Sequence, residues 1–233
     1  MSNPTLRSDL SPDLKELLSA VDYTMKIEKN SFLFQEGEDA NKLYIIQSGR
    51  IQISKISPDG RELSLRICKA GDLVGELTLF TEGAKYLLNA KVLEDGEVAV
   101  LKKEQLEKNL LTNNNLAFEY MRWMSEHFRK TQTKFRDLVL HGKKGALYST
   151  LIRLTNSYGV KRDDGILIDI HLTNQELANF CGTSRESVNR MLTDLKKNDV
   201  VSQEKGLLFI HDLQYLKDEI NCEDCPIVLC SID

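Results

Sequence analysis

Hydrophobic and polar positions change period three times along the chain. From Tyr23 to about Val100, short runs such as "FLFQEG", "LYIIQSGRIQISKI", "ELSLRICKAGDLVGELTLF" and "EVAVLKK" alternate or cluster apolar residues. Gly37, Gly49, Gly60, Gly71, Gly75, Gly83 and Gly96 punctuate them. Short strands with turn signals at this spacing predict a β-sandwich or jelly roll. Ahead of it, "DLSPDLKELLSA" predicts a short helix over 9–20, with Ser11 as cap and Pro12 at its first position.

Over 113–140 the period lengthens. Ala117, Met121, Met124, Phe128, Thr131, Phe135 and Leu138 recur at steps of four and three. That is the seam of a long helix, packed either on its own β-domain or on a second copy of the chain. The lysine-bearing, glycine-bracketed "HGKKGAL" then reads as a hinge. A second unit follows, with a helix over 145–157 and a strand at "GILIDIHL". Two short helices come next, then a hairpin at "VVSQEKGLLFIHD" turning at Lys205–Gly206. The helix-like "LQYLKDEI" leads into a cysteine-bearing tail.

The segment "LTNQELANFCGTSRESVNRMLTDLKKNDVV" carries the sharpest local signal. Thr173 with Glu176, and Thr183 with Glu186, each have capping-box spacing and predict two helix starts. Gly182 between them suits a tight turn that needs positive φ. Leu177, Phe180, Cys181, Val188, Met191, Leu192 and Leu195 supply the apolar face. Two such helices followed by a hairpin make a winged helix-turn-helix. The second helix presents Arg185, Glu186, Asn189 and Arg190 near its N-terminus, the end that meets base edges. Arginine can donate twice to the N7 and O6 of guanine, and glutamate can accept from the amino group of cytosine.

Composition narrows the classes. The chain has 233 residues, is 41% hydrophobic and 28% charged, and carries a formal net charge of −4. It can bury a core, and it is not a generally basic nucleic-acid coat. No apolar run is long enough for a membrane span. The polar N-terminus and the odd number of cysteines (five) point to the reducing cytoplasm rather than to a disulfide framework. No P-loop, dinucleotide fingerprint or nucleophile–base set suggests an enzyme. Cys222, Cys225 and Cys230 are spaced C-x2-C-x4-C, with Pro226 after the second. Such spacing lets thiolates converge on zinc or an iron–sulfur cluster; zinc needs a fourth protein ligand, and His211 is the nearest histidine in sequence. Cys181 falls in a small core slot, and Cys68 is expected to face away from the inward set Leu63, Leu65 and Ile67.

The motif "TSRESVNRML" resembles the recognition helix of the CRP/FNR family of bacterial transcription factors. The resemblance extends over almost the whole chain. It implies an α+β protein: a cyclic-nucleotide-binding-like β-roll with its N-terminal helix over 1–112, a dimerisation helix over 113–141, a winged helix-turn-helix over 142–218 and a cysteine tail over 219–233. In the CRP branch the helix reads R-E-x-x-x-R, matched by Arg185, Glu186 and Arg190, which implies TGTGA-like half-sites in double-stranded DNA. Gln175, Ser184 and Ser187 match positions that contact phosphate. RNA polymerase is the implied partner, and genes of anaerobic respiration the implied targets.

The family's nucleotide pocket uses an Arg-Ser pair on the cyclic phosphate. Tyr86 and Leu87 stand there instead, although Glu76 is kept and Lys85 is adjacent. A phenol carries no cation and leucine no donor, so no cyclic nucleotide is expected. The tail resembles that of Gram-positive, Bacillus-type FNR proteins. This resemblance implies an oxygen-sensing [4Fe–4S] cluster on Cys222, Cys225 and Cys230, with Asp137 as fourth ligand and His141 or His211 as alternatives. A CRP-like regulator gated by another small molecule, with a structural zinc or an unliganded tail, is the rival reading.

Overall fold

The computed structural model describes residues 21–232; the expected helix over 9–20 lies outside them. Two compact units divide inside one long helix, between Ser125 and Glu126, with Asp59–Ser64 grouped with the second. The first unit is built on an antiparallel sheet. Its strands are β1 (Tyr23–Ile27), β2 (Phe32–Phe34), β3 (Lys42–Ile56), β4 (Glu62–Cys68), β5 (Leu73–Val74) and β6 (Asn89–Lys102). Their order is β1-β6-β3-β4, with β2 paired to β6 and β5 to β3. The alternating apolar residues turn inward: Tyr44, Ile46, Ile51, Ile53, Val92, Val98 and Val100 form the core with Phe34 and Tyr86.

Cys68 corrects the sequence expectation. It is 1% exposed and belongs to this core, while its neighbour Ile67 is fully buried. Both faces of β4 are covered at that end, so the alternation rule cannot tell inside from outside there.

Helices α1 (Lys103–Thr112) and α2 (Asn114–Leu140) follow. Leu116, Tyr120, Trp123 and Met124 pack the first half of α2 against Leu43, Ile45 and Leu101. Another face stays open, with Met121, Phe128 and Phe135 each more than 60% exposed. These three are seven residues apart, one stripe of a helix. The seam read from sequence thus splits: Met124 serves the β-roll, and the Met121–Phe128–Phe135 stripe does not.

Gly142, at φ +59°, breaks the helix after Leu140. That conformation is cheap only without a Cβ. Helix α3 (Gly142–Tyr158) leads to a four-stranded antiparallel sheet of order β7-β8-β10-β9. Its strands are β7 (Gly159–Arg162), β8 (Gly165–Ile168), β9 (Val201–Glu204) and β10 (Leu207–Ile210). β7 was not foreseen, because "GVKR" is exposed throughout and carries no apolar alternation. Between β8 and β9 lie α4 (Asn174–Phe180) and α5 (Arg185–Lys197), and α6 (Leu213–Asp218) opens the tail.

Candidate functional site

The helix-turn-helix forms as its local chemistry dictates. Thr173 caps α4 in a full capping box with Glu176, satisfying two otherwise unpaired N–H groups. Gly182 turns the chain at φ +57°. Leu177, Ala178, Phe180, Val188, Leu192 and Leu195 are all buried. The second start differs from the expected capping box. Ser184, not Thr183, is the cap, accepting from the Ser187 N–H. The start therefore falls one residue later, and Thr183 Oγ1 is buried without a hydrogen-bond partner.

This register sets what α5 shows. Arg185, Glu186, Asn189 and Arg190 are exposed on its first two turns. The Glu186 backbone N–H and the Ser184 hydroxyl hold the Glu186 carboxyl below its ordinary range, so it stays an acceptor. Asn174 bonds Asn189, tying the start of α4 to α5. Gln175 is exposed and donates to Asn179 at 2.8 Å.

In the β-roll, Tyr86 is 4% exposed and stacks on Phe34 with ring centroids 3.8 Å apart. Its hydroxyl donates to the Lys42 carbonyl at 2.7 Å. Glu76 is buried in an ion pair with Arg66 at 2.8 Å. Both carboxylate and phenol are thus engaged by the protein itself. Leu87 is 63% exposed and contributes no donor. Arg66 is the residue that sequence reading missed: an arginine inside "LSLRIC" whose partner lies ten residues on.

The tail brings its three cysteines to one place. Cys222 is fixed by its N–H donating to Lys217 O at the end of α6 (2.9 Å). Pro226 O accepts from the N–H groups of Leu229 and Cys230, closing a tight turn. Cys222, Cys225 and Cys230 line one open cavity with Arg136, Asp137, His141, Ser149 and Arg153. Among the described residues, no three histidine, cysteine or acidic side chains close on a single metal-ion position. Glu223 also lines this cavity, but its carboxylate pairs with Arg136; Asp224 lies outside the lining, its side chain 75% exposed and paired with Lys217. His211 is elsewhere, bonding Ser202 and packing on Phe209. Of the expected alternatives to Asp137, only His141 reaches the cavity lining.

Asp137 is buried (6% exposed) in α2. Its Oδ2 accepts from Ser149 at 2.7 Å and Arg153 at 2.8 Å, and its Oδ1 accepts from Arg136 at 2.9 and 3.1 Å. Burial pushes the carboxyl upward, but the bonds from Arg153, Ser149 and Arg136 outweigh it and hold the group below the usual range. Burial likewise raises the Cys230 thiol, offset in part by Arg153. Cys181, away from the cavity, is pushed up to about 11 by burial.

A β-roll joined by a long helix to a winged helix-turn-helix defines a transcription regulator architecture. Residues 24–113 match the cyclic nucleotide-binding domain family, and residues 145–219 the Crp-like helix-turn-helix domain family. The chain is 61% identical over 228 residues to the "Anaerobic regulatory protein" of Bacillus subtilis (strain 168), covering 97% of this chain and 96% of that one. It is 28% identical to the "CRP-like cAMP-activated global transcriptional regulator" of Mycobacterium tuberculosis (strain ATCC 25618 / H37Rv), over 79% of this chain and 82% of that one. Among solved structures, the c-di-GMP responsive global regulator CLP of Xanthomonas campestris shares the fold at TM-score 0.75 and 22% identity, covering 87% of this chain and all of that one. CooA of Carboxydothermus hydrogenoformans, solved as a mutant, does so at 0.72 and 20%, covering 92% of each. The chain belongs to the CRP/FNR family of transcription regulators, which bind DNA as dimers and are not enzymes.

Proposed function

We propose that this protein is an oxygen-responsive regulator of anaerobic gene expression whose tail cysteines and Asp137 hold an iron–sulfur cluster. The cavity carries the reading: three thiols and the buried carboxylate of Asp137, drawn from two distant segments, line a single cleft. Three soft donors and one hard one suit iron and sulfide. The name of the B. subtilis relative agrees with an anaerobic role. When bound, the cluster, [4Fe–4S] by family resemblance, supplies an oxygen-labile cross-link between tail and α2.

The residues do the remainder. Asp137 lies in the last turn of α2 before Gly142, so holding the tail there fixes the end of the helix against α3. The exposed Met121, Phe128 and Phe135 are the seam for a second copy, and the dimer presents two α5 helices to half-sites about one DNA turn apart. Arg185 and Arg190 read guanine, Glu186 reads cytosine, and Gln175, Ser184 and Ser187 hold phosphates of a TGTGA-like site. Arg66 engages Glu76, and Tyr86 and Leu87 stand where the family's nucleotide pocket has its Arg-Ser pair, so the β-roll acts as scaffold. Among the described residues no helix is long and apolar enough to cross a membrane. The reading as a DNA-binding regulator places the protein in the cytoplasm, working with RNA polymerase.

Anaerobic purification with iron and sulfide analysis, followed by DNA binding before and after air, tests the whole reading. Stoichiometric iron and sulfide with air-sensitive binding is expected. Because His141 also lines the cavity, a structural zinc on the three cysteines and His141 is the second reading, and tight zinc with no sulfide would select it.

A further inference from the structure

The two oxygens of Asp137 are held unequally. Oδ2 is held by Ser149 and Arg153, 5% and 2% exposed, both from α3. Oδ1 is held by Arg136 alone, whose side chain is 32% exposed. One oxygen is fixed from the interior; the other is held by a part-exposed arginine that also pairs with Glu223 and approaches Cys225 Sγ at 3.9 Å.

Arg153 does more than hold Oδ2. Its Nη1 donates to the carbonyls of Leu229 at 3.0 Å and Ser231 at 3.4 Å, on either side of Cys230. Asn156 holds the Cys230 carbonyl itself, and Ser157 accepts from the Ile232 N–H. Ser149, Arg153, Asn156 and Ser157 recur at i, i+4, i+7 and i+8, one polar stripe of α3. An arginine this deeply buried is tolerated only when its charge and donors are matched. Here a carboxylate matches the charge, and two backbone carbonyls and the Ser149 hydroxyl take the other donors.

We propose that Arg153 is the positioning residue of the cysteine site: one guanidinium sets Asp137 Oδ2 and the backbone around Cys230 relative to each other, so that Oδ1 is the oxygen offered as ligand. This rests on the cluster reading above. It assigns a role to a residue that touches neither thiol nor metal. Arg136 is the exchangeable partner of Oδ1, and Arg153 is the fixed one.

The test uses the full-length protein with Arg153→Met, which keeps bulk and removes the donors, and Arg153→Lys, which keeps the charge with fewer donors. Ferrous iron and sulfide are loaded anaerobically, and loss of cluster absorbance is timed in air. Arg153→Met is expected to shorten the lifetime about tenfold, the size typical when a group orienting a metal ligand is lost. Arg153→Lys should recover part of it. Mössbauer spectra should show one iron distinct from its thiolate-bound neighbours in the unaltered protein and a changed distinct site in Arg153→Met. Loosening of the tail alone would not move that signature. Hydrogen exchange over 222–232 in metal-free protein should rise in Arg153→Met. Should that variant not fold, Ser149→Ala removes one donor to Oδ2 and leaves the tail contacts, and is expected to change the distinct iron without raising tail exchange. An unchanged lifetime and unchanged distinct iron in the folded variants overturn the inference while the cluster reading stands. Failure of the unaltered protein to take up iron and sulfide removes both.

Discussion

The five cysteines differ in what surrounds their sulfurs. Cys68 and Cys181 are 1% and 5% exposed, and burial raises the Cys181 thiol to about 11. Cys222, Cys225 and Cys230 are half-buried. Alkylation requires thiolate and access. Native, metal-free protein treated with iodoacetamide at about pH 8 is therefore expected to label Cys222 and Cys225 first, Cys230 more slowly because burial raises its thiol, and the other two only after unfolding. Peptide mass analysis reads the order, and early labelling of Cys181 would contradict the packing described. Tyr86 offers a second test at this scale. Tyr86→Ala removes the Phe34 stack and the Lys42 bond, and should cost about 3–5 kcal/mol by denaturant unfolding. Cyclic AMP at saturating level should leave the midpoint of the unaltered protein in place, because a ligand of the native state must raise it.

Elements bring the groups proposed to read DNA to one edge. α5 begins at Arg185 because Ser184 caps it, and this start puts Arg185, Glu186, Asn189 and Arg190 on its open first turns. Arg185→Ala and Arg190→Ala should each weaken a TGTGA-like site by about 1–3 kcal/mol and random DNA far less. Glu186→Ala should relax the preference at its C·G pair more than it lowers affinity. Equal losses on every sequence, measured by fluorescence anisotropy, would reduce these residues to phosphate contacts. Thr173→Ala removes the α4 capping box and should cost about 1 kcal/mol of stability, in thermal unfolding, without changing base preference.

At the scale of the whole molecule, α2 serves two neighbours. Its Leu116–Tyr120–Trp123–Met124 face packs on the β-roll, and its Met121–Phe128–Phe135 stripe is open. Phe128→Glu places a charge in the middle of that stripe and is expected to leave a folded monomer at about micromolar concentration. Sedimentation velocity reads the mass, and circular dichroism confirms the fold. A variant that remains dimeric would move the interface off this stripe.

Much of this was legible in the residues, for a reason that differs by element. Alternation of period two made the strands visible, caps and Gly182 located α4 and α5 to within a residue, and the cysteine spacing marked the tail. These are local signals, set by backbone sterics and by partners three or four residues apart. The burial of Cys68, the Arg66–Glu76 pair and the edge strand β7 were not legible, since each depends on what another segment covers or pairs with. The same holds for the site. Sequence supplied three thiols and nominated Asp137, but only the fold shows Ser149, Arg153 and Asn156 turning one stripe of α3 toward a tail some 75 residues away. An arginine flanked by apolar residues in "LIRL" was the available clue. A buried charge is decided by its partners, and partners distant in sequence are chosen by tertiary packing alone.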